Sequence, residues 1–133
     1  MARLKGKVAI ITGGANGIGR AICERFYEEE AIVIIADMNK TAGQEVARHL
    51  GEQANFSQLD VREKDHWHSL VEKTVREHGK LDVLVNNAGI LSTSSRQSVE
   101  DVNLEEWRSV QSVNVEGVFL GCQAAGGVLK SVG

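Results

Sequence analysis

The chain has 133 residues, 42% hydrophobic and 25% charged, which is the composition of one soluble globular domain. Its formal net charge is −3 and it carries no lysine or arginine run, so nucleic-acid binding has no electrostatic support. No apolar stretch reaches the length of a membrane span, and the N-terminus lacks the apolar core of a signal peptide. Cys23 and Cys122 both fall in helix-like patterns and read as reduced packing residues of a cytoplasmic protein. The four histidines offer no metal site, since His66 and His68 diverge on a helix.

The apolar run from Val8 to Thr12 predicts a first strand, and glycines then fall at 13, 14, 17 and 19. A helix-like pattern comes next, with Ile18, Ala21, Ile22 and Phe26 on one face, running to about Glu30. A strand feeding a glycine turn at a helix N-terminus is suited to cradle a pyrophosphate, because free N–H groups and partial positive charge gather there. The spacing is T-G-x-x-x-G-x-G from Thr12 to Gly19; it is not G-x-G-x-x-G, because Ile22 stands at the third glycine. Four clustered glycines also suit a plain loop, so the turn needs support from elsewhere.

The run Ile32 to Ala36 predicts a second strand ending at Asp37. Asn39 can cap a helix with Ala42, Val46 and Leu50 on its apolar face and Gly51 at its end. Phe56 to Leu59 is a weaker strand. Trp67, Leu70, Val71, Thr74 and Val75 keep helical spacing up to Gly79. Leu81 to Val85 is a fourth strand, with Asn86-Asn87-Ala88-Gly89 directly after it. Leu91 to Asn103 reads as loop, and one long helix is expected from Leu104 to about Lys130. This alternation predicts an α/β fold, a Rossmann-type doubly wound parallel sheet of order 3-2-1-4. Strands 1, 2 and 4 are apolar enough to be buried on both faces, while strand 3 suits an edge.

In such a sheet the ligand crevice lies at the carboxyl ends of the strands. The glycine turn, Asp37, Asp60 and Asn86 to Gly89 all fall there, which favours a ligand site over a bare scaffold. A carboxylate at Asp37 can accept hydrogen bonds from ribose hydroxyls and repels a 2′-phosphate. Met38 and Asn16 supply no basic partner for such a phosphate, which favours NAD over NADP, with Lys40 as the mild counter-argument. Asn114 lies on the stripe Trp107, Val110, Asn114, Val118, Gly121, Ala125. An amide on an apolar face needs partners, and a self-satisfied core amide accounts for it as well as a functional one.

At these residues the chain resembles the short-chain dehydrogenase/reductase family. The matching segments are Thr12 to Gly19, Asp37, Asp60-Val61, Asn86 to Gly89, and Asn114 within Val113-Asn114-Val115. The resemblance covers residues 1–133 as a single, partial domain with the family's later strands missing. It implies an NAD-dependent oxidoreductase that moves hydride to or from a secondary alcohol or ketone. It implies that Asn16, Gly17 and Ile18 line the pyrophosphate within a cofactor-binding turn that includes Gly13 and Gly19, that Asp37 and Met38 contact the adenosine ribose, and that Asp60 and Val61 flank the adenine. Asn87, Ala88 and Gly89 would border the cofactor further along, Asn86 would tie the sheet together, and Asn114 would be the catalytic asparagine. The family's corresponding helix commonly packs against a subunit partner, which implies a homo-oligomer formed through residues 104–130.

The departure is equally specific. The family's chemistry uses a serine, and a tyrosine with a lysine four residues later. Here the only tyrosine is Tyr27, and residue 31 is Ala31. Two readings are open. In the favoured one the chain is the front part of a dehydrogenase, cut short by a gene-model break, a frameshift or design. In the other it is a short non-catalytic nucleotide-binding module, or a partner of a full-length relative. A methyltransferase-like Rossmann domain would leave Asn86 to Gly89 and Asn114 unexplained. The substrate pocket would draw on Leu91 to Ser98 alone among the residues present.

Overall fold

Val8, Ala9, Ile10, Ile11 and Thr12 are all buried and form β1 (Val8–Thr12), an inner strand of a parallel sheet. The computed structural model describes residues 2–92 and 98–132. On one side β1 pairs with β2 (Ile32–Asp37), Ile10 opposite Ile34. On the other it pairs with β4 (Val83–Val85), Ile10 opposite Leu84. β3 (Ala54–Gln58) adds beyond β2, giving the order β3-β2-β1-β4, every pair parallel. Parallel neighbours need crossovers, and helices supply them. These are α1 (Gly17–Glu28), α2 (Lys40–Leu50) and α3 (Lys64–His78).

Alternation along the strands divides the core into two layers. Ala9, Ile11, Val33 and Ile35 pack with Cys23 and Val46 on the face of α1 and α2. Val8, Ile10, Ile34, Trp67, Leu70 and Ala125 form the opposite layer, under α3 and the C-terminal helix. The fold is therefore the doubly wound α/β architecture that the alternation predicts. Each fully buried large apolar side chain contributes about 1.5–3 kcal/mol relative to leaving it in water, and Trp67 and Ile10 are wholly buried. Asn39 caps α2 as expected, its side chain accepting from Ala42 N–H at 3.0 Å, and Gly51 and Gly79 end α2 and α3.

Several boundaries differ from the sequence expectation. β3 starts at Ala54 rather than Phe56, because its pairing is set by β2 and not by its own apolar content. β4 begins at Val83 rather than Leu81. The Val8 N–H, which a longer β4 would have paired, donates instead to the Asp82 carboxylate at 2.8 Å. The residues of β4 are half-buried, not buried on both faces. In α1 the buried residues are Gly19 and Cys23, while Ile18 is 75% exposed. Cys122 is exposed rather than packed.

The long C-terminal helix is interrupted. α4 (Leu104–Gln111) runs into a π turn (Ser112–Glu116) and then α5 (Gly117–Val132). The extra residue in the π turn rotates the faces of α5 relative to those of α4. The buried series is Val113, Gly117, Gly121 and Ala125 rather than the stripe through Trp107 and Asn114, both of which are exposed. Gly121 is required by contact: a Cβ there would lie 2.7 Å from the Trp67 indole. Among the described residues no helix is long and apolar enough to cross a membrane.

Candidate cofactor-binding site

At the carboxyl end of β1, Thr12 is buried and its hydroxyl is a junction. It donates to the Val85 carbonyl at 3.2 Å and accepts the Asn87 and Ala88 N–H groups, each at 2.9 Å. The Asn87 side chain returns the connection, donating to the carbonyls of Thr12 (3.1 Å) and Gly13 (3.4 Å). Asn87 therefore ties β4 to β1, a role that the resemblance assigns to Asn86. The Asn86 amide instead reaches the Cys122 sulfur on α5 at 3.6 Å. Asn87 lies beneath the glycine turn, its side chain directed inward.

The turn itself runs through Gly13 and Gly17, at φ of +65° and +54°. Gly19 is fixed by crowding. A Cβ there would stand 2.0 Å from the Gly13 carbonyl oxygen and 2.5 Å from the Asn87 amide nitrogen. Any side chain at 19 would push α1 away from the strand end. Asn16 at the N-cap makes no side-chain capping bond, and Asn16, Gly17 and Ile18 are exposed. The start of α1 is therefore open to solvent at these three residues, the place where the free amides of a helix N-terminus hold a phosphate group. These residues fit a pyrophosphate.

Asp37 closes the second wall. Its carboxylate accepts the Ala15 N–H at 3.2 Å and the Asn39 N–H at 2.9 Å. It thus braces the glycine turn and the start of α2 together, a role the sequence pattern does not disclose. Next to it a cavity of about 160 Å³ is lined by Gly13, Asp37, Met38, Asp60, Val61, Ala88 and Gly89. Seven of the predicted site residues thus meet around one slot. Ala36, Leu59, Ile90 and Val113 complete its walls; in the sequence Ala36, Leu59 and Ile90 are ordinary apolar residues at element ends, and Val113 is marked only as the neighbour of Asn114. Burial of Cys23 under the turn pushes its thiol up to about 12, so it acts as a packing group. A Cβ at Gly14 would lie 2.9 Å from its sulfur.

Asn114 sits in the π turn and is exposed, not on the core face. Its side-chain oxygen accepts the Ile90 N–H at 2.8 Å and its amide donates to the Ile90 carbonyl at 2.9 Å. This two-point clamp holds the segment after Gly89 against the helix, and Ile90 carries it to the slot. Tyr27 lies elsewhere: its hydroxyl abuts Gly51, near the C-terminal ends of α1 and α2 and away from the crevice. Of the segment Leu91 to Ser98, residues 93–97 lie outside the described residues.

A family model described as short chain dehydrogenase matches residues 7–131. The chain belongs to the short-chain dehydrogenase/reductase family. Within that family it is 40% identical over 131 residues to a 3-beta-hydroxysteroid dehydrogenase of Comamonas testosteroni, covering 98% of this chain and 50% of that one. It is 44% identical over 121 residues to an NADP-dependent (R)-specific alcohol dehydrogenase of Lentilactobacillus kefiri, covering 90% of this chain and 47% of the relative. The crystal structure of a 3-ketoacyl-(acyl-carrier-protein) reductase from Brucella melitensis complexed with NADH superposes with a TM-score of 0.91 at 36% identity, over 96% of this chain and 52% of that one. The chain spans about half the length of the curated relatives it matches. These relatives are oxidoreductases acting on alcohol or ketone groups, and the family binds a nicotinamide cofactor.

Proposed function

We propose that residues 1–133 are the N-terminal, cofactor-binding part of an NAD-dependent short-chain dehydrogenase/reductase that oxidises a secondary alcohol or reduces the matching ketone. The observation that carries the choice of NAD is the Asp37 carboxylate at the end of β2, beside the cavity and held by two backbone N–H groups. Among the described residues no lysine or arginine lines that cavity, so none of them offsets the charge of a 2′-phosphate there.

In this reading Asn16, Gly17 and Ile18 hold the pyrophosphate through backbone N–H groups, on a turn shaped by Gly13 and Gly19. Asp37 and Met38 take the adenosine ribose, and Asp60 and Val61 the adenine. Ala88 and Gly89 border the cofactor further along, over the support given by Asn87. Asn114 holds the Ile90 backbone and, in the whole enzyme, orders a water towards a lysine. The bound nicotinamide supplies the hydride acceptor or donor. Pairing of subunits through residues 104–130, and a cytoplasmic location with both thiols reduced, belong to the same reading.

The test is a titration of the purified chain with NADH and NADPH. NADH is expected to bind more tightly by about 1–3 kcal/mol, roughly tenfold or more. Equal affinities would sink the assignment. The second reading, a non-catalytic nucleotide-binding module, is favoured by one observation: the only tyrosine, Tyr27, has no lysine four residues on. Sequencing the DNA after the codon for Gly133 separates the two. An open frame encoding a serine and a Tyr-x-x-x-Lys pair supports the first reading, and its absence the second.

A further inference from the structure

β3 is the outermost strand on its side of the sheet, and it pairs only with β2. The Val33 N–H donates to the Gln53 carbonyl at 2.8 Å, and the Leu59 N–H to the Asp37 carbonyl at 3.1 Å. In a parallel ladder of that register, Asn55 and Ser57 turn their backbone groups to β2, while Ala54, Phe56 and Gln58 turn theirs outward. The Ala54 N–H is taken by the Gly51 carbonyl at 3.1 Å. The Ala54 carbonyl and both backbone groups of Phe56 and Gln58 remain, with no hydrogen-bonding partner among the described residues.

Two cavities, of about 450 and 690 Å³, run along this edge. Between them they are lined by all five residues of β3, and they share Gln44 and Phe56, so they form one trench. Its walls are α2 and α3. Lys40 and Arg48 stand on the α2 wall and Lys73 on the α3 wall, all three exposed. None of them is in an ion pair among the described residues. Glu52 is the only carboxylate among the described lining residues. The trench is therefore cationic, on a chain whose formal net charge is −3. Each wall also offers an apolar foothold, Leu70 on α3 and Phe56 under α2. Gly43 makes the second possible, since a Cβ there would lie 2.1 Å from the Phe56 ring. The trench shares no lining residue with the slot beside Asp37.

An open strand edge takes up an extended segment by main-chain pairing, and the flanking side chains select which segment. Successive side chains of an added strand point to opposite faces, so one set meets the α2 wall and the other the α3 wall. Both walls carry positive charge, and the complementary segment is acidic on both faces. A second copy of this edge would set its own Lys40, Arg48 and Lys73 against the same groups, and like charges oppose that pairing.

We propose that the outer edge of β3 is a docking surface for an acidic, extended peptide segment of a partner protein, which adds to the sheet beyond β3. Backbone pairing with Phe56 and Gln58 supplies the geometry, and Lys40, Arg48 and Lys73 supply the charge preference. The surface stands apart from the nucleotide slot and does not depend on the reading of that slot.

The probe is a fluorescein-labelled, acetylated and amidated heptapeptide, Val-Glu-Glu-Val-Glu-Glu-Val, titrated against the chain by anisotropy. Three comparison peptides accompany it: one with lysine for every glutamate, one with the central valine N-methylated, and one with its residues in the order Glu-Glu-Val-Val-Val-Glu-Glu. The acidic peptide is expected to bind at least about tenfold more tightly than the lysine peptide, and N-methylation to cost about tenfold, the scale of one lost hydrogen bond and the clash beside it. The reordered peptide keeps the charge and should bind within about threefold of the first, because both walls accept carboxylates. Lys40→Glu and Lys73→Glu should each weaken binding about three- to fivefold without lowering the melting temperature. Hydrogen exchange at the Phe56 and Gln58 amides should slow about tenfold when the acidic peptide is saturating. Binding of none of the peptides at millimolar concentration overturns the proposal, as does full retention of affinity on N-methylation, which means simple ion exchange. Slowing of the same two amides as the chain alone is concentrated also overturns it, because the edge then pairs with a second copy.

Discussion

Asp37 holds two backbone N–H groups before any ligand arrives, so a substitution there has two consequences. Asp37→Ala removes the charge that opposes a 2′-phosphate and also frees Ala15 and Asn39. It should narrow the NADH over NADPH preference to within about threefold and weaken both ligands. Asp37→Asn retains acceptor capacity, so it should narrow the preference with less overall loss. If Asp37→Asn keeps the full preference in side-by-side titrations, charge is not the discriminant. Two other carboxylates contribute to acid stability. Arg62 holds Asp60 below its ordinary value. The Arg3 N–H, donating at 2.8 Å, does the same for Glu29. Both groups therefore titrate lower in the folded chain than in the unfolded one. Their stabilisation is complete above the ordinary carboxylate range, near pH 4, and is lost as pH falls through the folded values. The melting temperature should hold from pH 7 to 5 and drop below about pH 4, and Arg62→Ala should lessen the drop. A melting temperature that stays flat down to about pH 3 contradicts this.

At the scale of elements, the helix that covers Trp67 depends on a missing side chain. Gly121→Ala would bring a Cβ within 2.7 Å of the indole and 2.9 Å of the Asn86 side chain. Overpacking of this sort typically costs about 1–3 kcal/mol, to be read as a lower urea midpoint; a variant as stable as the parent would show that α5 can shift freely. The elements also show what the sequence could disclose. β1, β2, the α2 cap and the Gly79 stop were legible because each rests on a local rule: continuous apolar burial, Asx capping, a left-handed glycine. The start of β3 and the shortening of β4 were not, because pairing with β2 sets the one and the Asp82 carboxylate replaces a ladder bond in the other. The π turn was not legible either, since Ser112 to Glu116 contains no proline or glycine and reads as regular helix. Of the site, Gly13, Asp37, Asp60 and Gly89 were legible from strand-end position. That Asn87 rather than Asn86 ties β4 to β1 was not, because neighbouring asparagines differ only in which way the backbone turns them.

For the whole molecule, the α4–α5 surface leaves Leu104, Trp107, Val115 and Phe119 exposed, Trp107 by 55% and Phe119 by 61%. Apolar surface of that kind favours association. The chain should self-associate at tens of micromolar in sedimentation, and a compact, cooperative monomer there would contradict the expectation. Turnover is a separate matter. General acid or base assistance is typically worth about 10²–10⁴-fold, and Tyr27 lies away from the crevice. The 133-residue chain is therefore expected to show no robust oxidation of secondary alcohols or reduction of cyclic ketones when monitored by NADH absorbance. Robust turnover that survives Tyr27→Phe would reveal another proton donor.

The Thr12 junction also governs how the molecule breathes. Asn87 and Ala88 belong to no strand, yet both their amides end on one buried hydroxyl. Amides in loops ordinarily trade hydrogen for deuterium during local fraying, whereas amides bound to the core wait for a larger opening. These two should therefore exchange on the slow timescale of β1, and the crevice floor should open only when the β1–β4 pairing opens with it. Thr12→Val leaves the Ala88 amide without its acceptor and the Asn87 amide with only the Val85 carbonyl at 3.1 Å, and it should speed exchange at Ala88 by about tenfold or more, with β2 and β3 far less affected. Fast exchange at Asn87 and Ala88 in the unmutated chain would mean that the floor of the site moves independently of the sheet.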